Sequence, residues 1–324
     1  MSRLNTGRRA LLGAAAIAAV TRSARAHSAS EHIPLWPAAA PGDPGVQGHE
    51  VVRRGAISHI GRPHLVAYRP AAPNGMAVIV IAGGGYVSIE AGSESAPTCR
   101  WLQSIGVAAF ELIYRLPGDG WPAIAPFQDG QRAMRLIRAR AVAYGIDPAR
   151  IGLIGFSAGG HLAGMTAVQP AAGLYAPVDA ADSLSARPDF AGLIYPVLSM
   201  MPPFDQTRAR REIIGLHPTE AESRSYSVER HVDAQTPPVF LAQAADDPIS
   251  PAENSLMMFA ALRAAHLPAE LHIFQSGGHG WGMGRAGSET ANWPGLFAQW
   301  CMRNGWQPSQ GQGSLTGANL SGGG

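Results

Sequence analysis

Ile151-Gly152-Leu153-Ile154-Gly155-Phe156-Ser157-Ala158-Gly159-Gly160 is the stretch on which the reading of this chain turns. Ile151 to Ile154 is a short, continuous apolar run, the pattern of a strand buried on both faces. His161 to Val168 beyond it has helical composition. A Gly-x-Ser-x-Gly string alone says little. Between a strand and a helix it predicts a sharp turn with the serine at its tip. Such a turn forces Ser157 into a strained backbone, and glycines two residues to either side remove Cβ atoms that would clash. The hydroxyl then projects at the C-terminal end of the sheet, beside a helix N-terminus whose dipole favours a developing anion.

Outward from this turn, the chain alternates strand-like and helix-like segments. Val78 to Ile81, Val107 to Phe110, Leu193 to Tyr195 and Val239 to Leu241 are further apolar, β-rich runs, and Leu271 to Phe274 is a weaker one. Asp129 to Tyr144 is the clearest helix: Asp129 is placed to cap it, Ala133, Leu136, Ile137 and Ala141 recur at helical spacing, and Gly145 ends it. Pro97 to Ile105 and Pro251 to Ala265 are two more. This alternation predicts a three-layer α/β domain with a mostly parallel sheet and helices on both faces. Residues 196–237 interrupt it. They are rich in proline and carry Arg208, Arg210 and Arg211, which reads either as a small lid or insertion over a site or as an irregular connection.

A serine hydroxyl is a poor nucleophile until a base takes its proton. His279, in Gly277-Gly278-His279-Gly280-Trp281 after the last strand, is placed to be that base. His161, four residues past the serine on the same helix, suits packing or hydrogen bonding better. An acid must orient the imidazole and stabilise its cation. The strand from Val239 ends in Asp246-Asp247-Pro248-Ile249-Ser250, and one of the two aspartates is the candidate. The pattern of an aspartate followed two residues later by a β-branched residue is read in Asp246-Asp247-Pro248-Ile249 with Asp246 first, and Asp247 is the alternative. The order Ser, Asp, His is the one that strand–turn–helix serine hydrolases use. The strand at Val78 runs into Ala82-Gly83-Gly84-Gly85-Tyr86. Backbone amides of Gly84 and Gly85, with that of Ala158, are expected to form an oxyanion hole. A phosphate-gripping loop fits poorly, since the GxGxxG spacing and a P-loop lysine are both missing.

Composition narrows the alternatives. The chain has 324 residues, 46% of them apolar and 15% charged, enough for a full core. All 25 basic residues are arginine. Residues 1–26 hold five of them and no acid, so 20 arginines face 23 acidic residues in the remainder, a net of −3. A weakly acidic body argues against nucleic acid as a partner. Two cysteines, Cys99 and Cys301, exclude a disulfide scaffold and a cysteine-based zinc site, and leave one disulfide open. Arg8-Arg9, the apolar run Ala10 to Val20 and Ala24-Arg25-Ala26 resemble a twin-arginine signal peptide, expected over 1–26. The apolar run is too short to span a bilayer. The mature chain is expected to begin near His27, to fold over 27–308 and to be periplasmic or secreted. Residues 309–324, uncharged and with six glycines, are expected to be a disordered tail.

Read together, these motifs resemble the α/β-hydrolase superfamily, specifically the bacterial acetyl-xylan-esterase and feruloyl-esterase-like (BD-FAE-like) serine esterases. The resemblance runs from Ile33-Pro34-Leu35-Trp36-Pro37 to about Trp300. It includes Gly83 to Tyr86, Tyr114-Arg115-Leu116, Gln128-Asp129 with Arg132, Gly145 to Pro148, Gly155 to Ala163, Arg187 to Phe190, Ile194-Tyr195-Pro196, Thr236-Pro237-Pro238, Ala245 to Asp247, Glu253 to Leu256 and Gly277 to Gly280. It departs from the group's pattern at Ala82, where histidine or proline often precedes the three glycines, and at Ser250, where proline is common. It implies a metal-independent esterase using Ser157, Asp246 and His279, acting on O-acetyl or similar short acyl esters of plant-wall carbohydrate, with no cofactor. A general short-chain carboxylesterase, a peptidase-like acyl hydrolase and a carbohydrate-binding protein on an inactive hydrolase scaffold are the alternatives. Tyr86, Trp121 and Trp281 are aromatic side chains that could stack on a sugar, and the three arginines could meet an acidic one.

Overall fold

The computed structural model describes residues 31–43, 45 and 49–306. The expected export segment, the start of the mature chain and the expected tail lie outside them. Ten strands are described: β1 (Glu31–Pro34), β2 (Val51–Arg53), β3 (Ala56–Ser58), β4 (His64–Tyr68), β5 (Gly75–Ile81), β6 (Ala108–Ile113), β7 (Ile146–Phe156), β8 (Ala191–Ile194), β9 (Val239–Ala244) and β10 (Ala269–Phe274). Eight form one sheet in the order β1-β4-β6-β5-β7-β8-β9-β10. From β6 to β10 all neighbours are parallel, and β1 and β4 add an antiparallel edge. All six apolar runs fall on parallel strands. The antiparallel edge and the β2–β3 hairpin were not foreseen, because those short segments mix polar and apolar residues.

The helices are α1 (Ala96–Ser104), α2 (Ala125–Ala139), α3 (Ala141–Tyr144), α4 (Ser157–Val168), α5 (Arg208–Ile214), α6 (Glu220–Ser225), α7 (Glu253–Ala264) and α8 (Trp293–Arg303). Side chains alternate across each strand. Ala77, Ile79 and Ile81 of β5 join a core with α2, α4 and α7, whereas Met76, Val78 and Val80 join one with α1 and α8. This is a three-layer α/β architecture. Cys99 and Cys301 are both buried and unpaired.

Asp129 does not cap the long helix. The helix begins at Ala125 and is interrupted at Arg140, and Asp129 lies in its interior, fully buried. Its carboxylate accepts from the Arg115 backbone N–H (2.9 Å), the Arg115 Nε (3.0 Å) and the Trp36 indole (2.8 Å). Arg115 is also fully buried. It donates to the carbonyls of Pro41 and Ala125 and to Gln128 Oε1, and stacks on Trp36 and Trp121. With each of the three guanidinium nitrogens hydrogen-bonded, the pair ties the chain after β6 to the start of α2. Gly145 ends α3 in the left-handed conformation (φ +66°), as expected.

The sheet order reverses at β5, which lies between β6 and β7. In open α/β sheets the crevice beyond the strand ends at such a reversal is where ligands bind. Ile81, at the end of β5, pairs with Gly155 near the end of β7. The glycine loop and the serine turn therefore leave the sheet side by side. Residues 196–237, which carry α5 and α6, fold back over α4. Val197 N–H donates to Ser157 O, and the Tyr226 carbonyl accepts from His161. The segment is an insertion packed on the serine helix.

Candidate active site

Ser157 sits at the tip of the turn between β7 and α4 with φ +50°, a strained value for a residue with a Cβ. The flanking glycines make the turn possible. A Cβ on Gly155 would lie 2.3 Å from Gly159 O, and one on Gly159 would lie 2.2 Å from Ile81 O. The serine is at the first position of α4, so the N–H groups of that helical turn have no intrahelical acceptor.

His279 comes from the loop after β10. Its Nε2 lies 2.7 Å from Ser157 Oγ and its Nδ1 lies 2.7 Å from Asp247 Oδ2. Asp247 is buried and receives four donors. Ile249 N–H and Ser250 N–H reach Oδ1, and Gln243 Nε2 and His279 Nδ1 reach Oδ2. Four donors fill the acceptor capacity of a carboxylate. The imidazole proton is thereby fixed on Nδ1, and the Nε2 lone pair faces the Ser157 hydroxyl.

The expectation of Asp246 as the third member is corrected by this geometry. Asp246 points outward, is exposed, and accepts from Gly278 N–H at 2.8 Å. It fastens the histidine loop without touching the imidazole. Two neighbouring residues at a strand end project in opposite directions, and the turn closed by Asp247 N–H to Ala244 O directs the second aspartate inward.

The glycine loop lies against the serine. A Cβ on Gly83 would be 2.7 Å from Ser157 Cβ and 2.9 Å from Phe156 O. Among the described residues, the amides of Gly84, Gly85 and Ala158 donate to no protein acceptor, whereas Gly83 N–H donates to Glu94 Oε2 at 2.6 Å. The next residue, Tyr86, has φ +63° and is fully buried. His161 explains how it is held. His161 Nε2 is 2.7 Å from the Tyr226 carbonyl, which can only accept, so Nε2 carries the proton. Nδ1 is then an acceptor, and the Tyr86 hydroxyl donates to it at 2.8 Å. Burial pushes the His161 imidazolium down from 6.5 to about 4, which keeps this bridge neutral. One neutral histidine thus links the glycine loop, the serine helix and the insertion.

Three aromatic candidates for sugar contact are accounted for by packing. Tyr86 is bonded to His161. Trp121 is buried with its indole N–H on the Ile60 carbonyl, and Trp281 is buried against Tyr195 and Phe274. Of the arginines, Arg210 braces the insertion through Asp205 and the Gly215 carbonyl, and Arg208 is exposed and paired with Glu212. Sequence reasoning missed Glu94 and Gln243. A buried carboxylate beside a glycine loop leaves no local pattern in the chain.

The BD-FAE family model matches residues 67–262, which takes in the glycine loop, Ser157 and Asp247. The chain belongs to the BD-FAE family. A bifunctional acetyl ester-xyloside hydrolase from Caldicellulosiruptor lactoaceticus is 34% identical, with a TM-score of 0.73 over 86% of this chain and 97% of that one. A thermophilic esterase from Thermogutta terrifontis, solved with propionate bound, is 26% identical, with a TM-score of 0.66 over 84% of this chain and 98% of that one. An acetylxylan esterase of Xylanibacter ruminicola is 30% identical over 245 residues, 70% of this chain and 45% of that protein. The chain spans less than half the length of the curated relatives it matches. These relatives are esterases of the α/β-hydrolase type, so the BD-FAE match and the sheet order agree on the fold.

Proposed function

We propose that the protein is a serine esterase that removes short acyl groups, acetyl above all, from carbohydrate esters such as acetylated xylan. The observation that carries this reading is the continuous hydrogen-bonded line from Ser157 through His279 to Asp247, at 2.7 Å for each step. His279 Nε2 takes the Ser157 proton as Oγ attacks the ester carbonyl. The amides of Gly84, Gly85 and Ala158 receive the oxyanion, and Asp247 stabilises the imidazolium. The C–O bond to the alcohol breaks, and His279 returns the proton to that oxygen. Water then attacks the acyl-enzyme with His279 again as base, releasing the acid and restoring the serine.

The acyl and sugar assignments are supported by the relatives, an acetylxylan esterase and an acetyl ester-xyloside hydrolase among them. The likeness to an esterase that holds propionate favours a short acyl group on any alcohol, and this general carboxylesterase reading is the second one. We further propose export by the twin-arginine-type segment at 1–26, which would place the enzyme where wall carbohydrate is met, with 27–308 as its catalytic domain. The test is acetate release from acetylated xylan, with Ser157→Ala as control and 4-nitrophenyl acetate in parallel. Release lost in the variant supports both parts. Cleavage of the small ester with none from xylan removes the carbohydrate assignment and leaves the general one.

A further inference from the structure

Glu94 is not one of the reacting groups, yet it is buried beside them. It lies on a π-helical turn, Ala91–Ser95, closed by the Ala96 N–H on the Ala91 carbonyl. Such turns recur at functional sites. Its Oε2 accepts from Gly83 N–H at 2.6 Å, and its Oε1 accepts from the Tyr195 hydroxyl at 2.8 Å. The Tyr195 oxygen in turn accepts from Gly282 N–H at 3.0 Å, three residues past His279. The Tyr195 ring packs on the His279 imidazole with centroids 5.0 Å apart. Gly282 has no slack, since a Cβ there would lie 2.2 Å from Ser93 O on the same π-turn.

We propose that Glu94 is a positioning residue that locks the glycine loop and the His279 loop to one another, and that its carboxylate form holds both more tightly than the neutral acid does. This rests on the esterase reading above. The charge on the acceptor gives the reason. Gly83 N–H and Tyr195 O–H both point hydrogens at the carboxyl, and a carboxylate accepts both. A proton can take one of the acceptor positions left free, but it removes the charge that makes both hydrogen bonds strong, so the neutral acid holds the two loops less tightly.

The groups facing Glu94 are Glu90 on its own segment, Tyr114 after β6, Tyr195 after β8 and His279, with Asp247 beyond Tyr195. Burial pushes the Glu94 carboxyl up from 4.5 to about 7, against the hydrogen bonds from Gly83 and Tyr195 and the attraction of the imidazolium. The carboxylate therefore forms as pH rises through neutrality, and its charge favours the imidazolium that His279 becomes during catalysis.

The test is the pH profile of kcat on 4-nitrophenyl acetate for the full chain, Glu94→Gln and Tyr195→Phe. Glu94→Gln is expected to lower kcat at pH 8 by about 10- to 100-fold with KM within about threefold. It should also remove from the acid limb the step that follows the Glu94 proton near 7, changing its slope and midpoint. Tyr195→Phe keeps the carboxylate but removes a donor to it. Its acid limb should move to higher pH, by on the order of one unit. A merely structural role would lower kcat without changing slope or midpoint, and that result overturns the proposal. Infrared titration of the free enzyme needs no substrate. A carboxylic-acid band that fades as pH rises through about 7, and does so at higher pH in Tyr195→Phe, supports the proposal even where Glu94→Gln fails to fold. If that band is missing, the proposal falls. Failure of wild-type protein to cleave any ester would instead sink the esterase reading and leave the infrared result to decide the Glu94 network.

Discussion

Replacing Asp247 by asparagine separates the two adjacent aspartates most sharply. Asp247 accepts four hydrogen bonds, from Ile249 N–H, Ser250 N–H, Gln243 Nε2 and His279 Nδ1. An asparagine has one oxygen and one NH2 group, so two of these donors would meet a donor. With the oxygen kept on the two backbone amides, the NH2 faces His279, and the ring proton shifts to Nε2. The nitrogen facing Ser157 Oγ then carries a hydrogen and cannot act as base. A wrong-tautomer site of this kind loses about 10⁴ in kcat, on the order of 5 kcal/mol of barrier. Asp246→Asn is the matched control. Asp246 accepts only from Gly278 N–H, at the surface, and an amide oxygen can still accept it. Its kcat should stay within about threefold of wild type. The assay is steady-state hydrolysis of 4-nitrophenyl acetate at pH 8, with near-ultraviolet circular dichroism to confirm folding. Asp246→Asn losing 10³-fold or more while Asp247→Asn stays within tenfold would refute the geometric reasoning.

Gly83→Ala places a methyl 2.7 Å from Ser157 Cβ, and a displacement of that size at the nucleophile should cost about 100-fold in kcat with little change in KM, read by steady-state kinetics. Arg115→Met leaves Asp129 as a buried carboxylate without its cation and should cost about 3–5 kcal/mol in urea unfolding, with Asp129→Asn added to it recovering part of the loss. The native Glu94 holds its proton up to about 7 whereas the unfolded chain releases it near 4.5, so between those values rising pH removes up to about 3 kcal/mol of stability from the wild type. Glu94→Gln escapes this, and its unfolding free energy relative to wild type should rise between pH 5 and pH 8; a difference that stays constant contradicts the assignment. His161, lowered to about 4, acts oppositely, since the unfolded chain protonates it first and stability is lost as pH falls from 6.5 towards 4.

The parts of the site that were legible in the sequence are those carried by local pattern. Gly155 and Gly159 bracket Ser157 because the turn leaves no room for a Cβ, and His279 stands in a glycine-rich loop after the last strand. The choice between Asp246 and Asp247 was legible too. Counted strictly, the β-branched residue two places on is Ile249, which belongs to Asp247, and Asp247-Pro248 is a turn-initiating pair. Asp129 was misread as a cap because its partner, Arg115, is brought to it only by tertiary folding. Glu94 and Tyr195 are 101 residues apart and show no shared spacing. Their hydrogen bond exists because the sheet places the ends of β5 and β8 around β7, and no local propensity encodes that.

The most direct test of the central claim is peptide mapping after treatment with an organophosphate that mimics the tetrahedral acyl intermediate. Ser157 should carry the single covalent phosphoryl group, its formation should track loss of ester hydrolysis one to one, and Ser157→Ala should neither label nor cleave. Labelling at another residue, or hydrolysis that survives full modification of Ser157, would contradict the account.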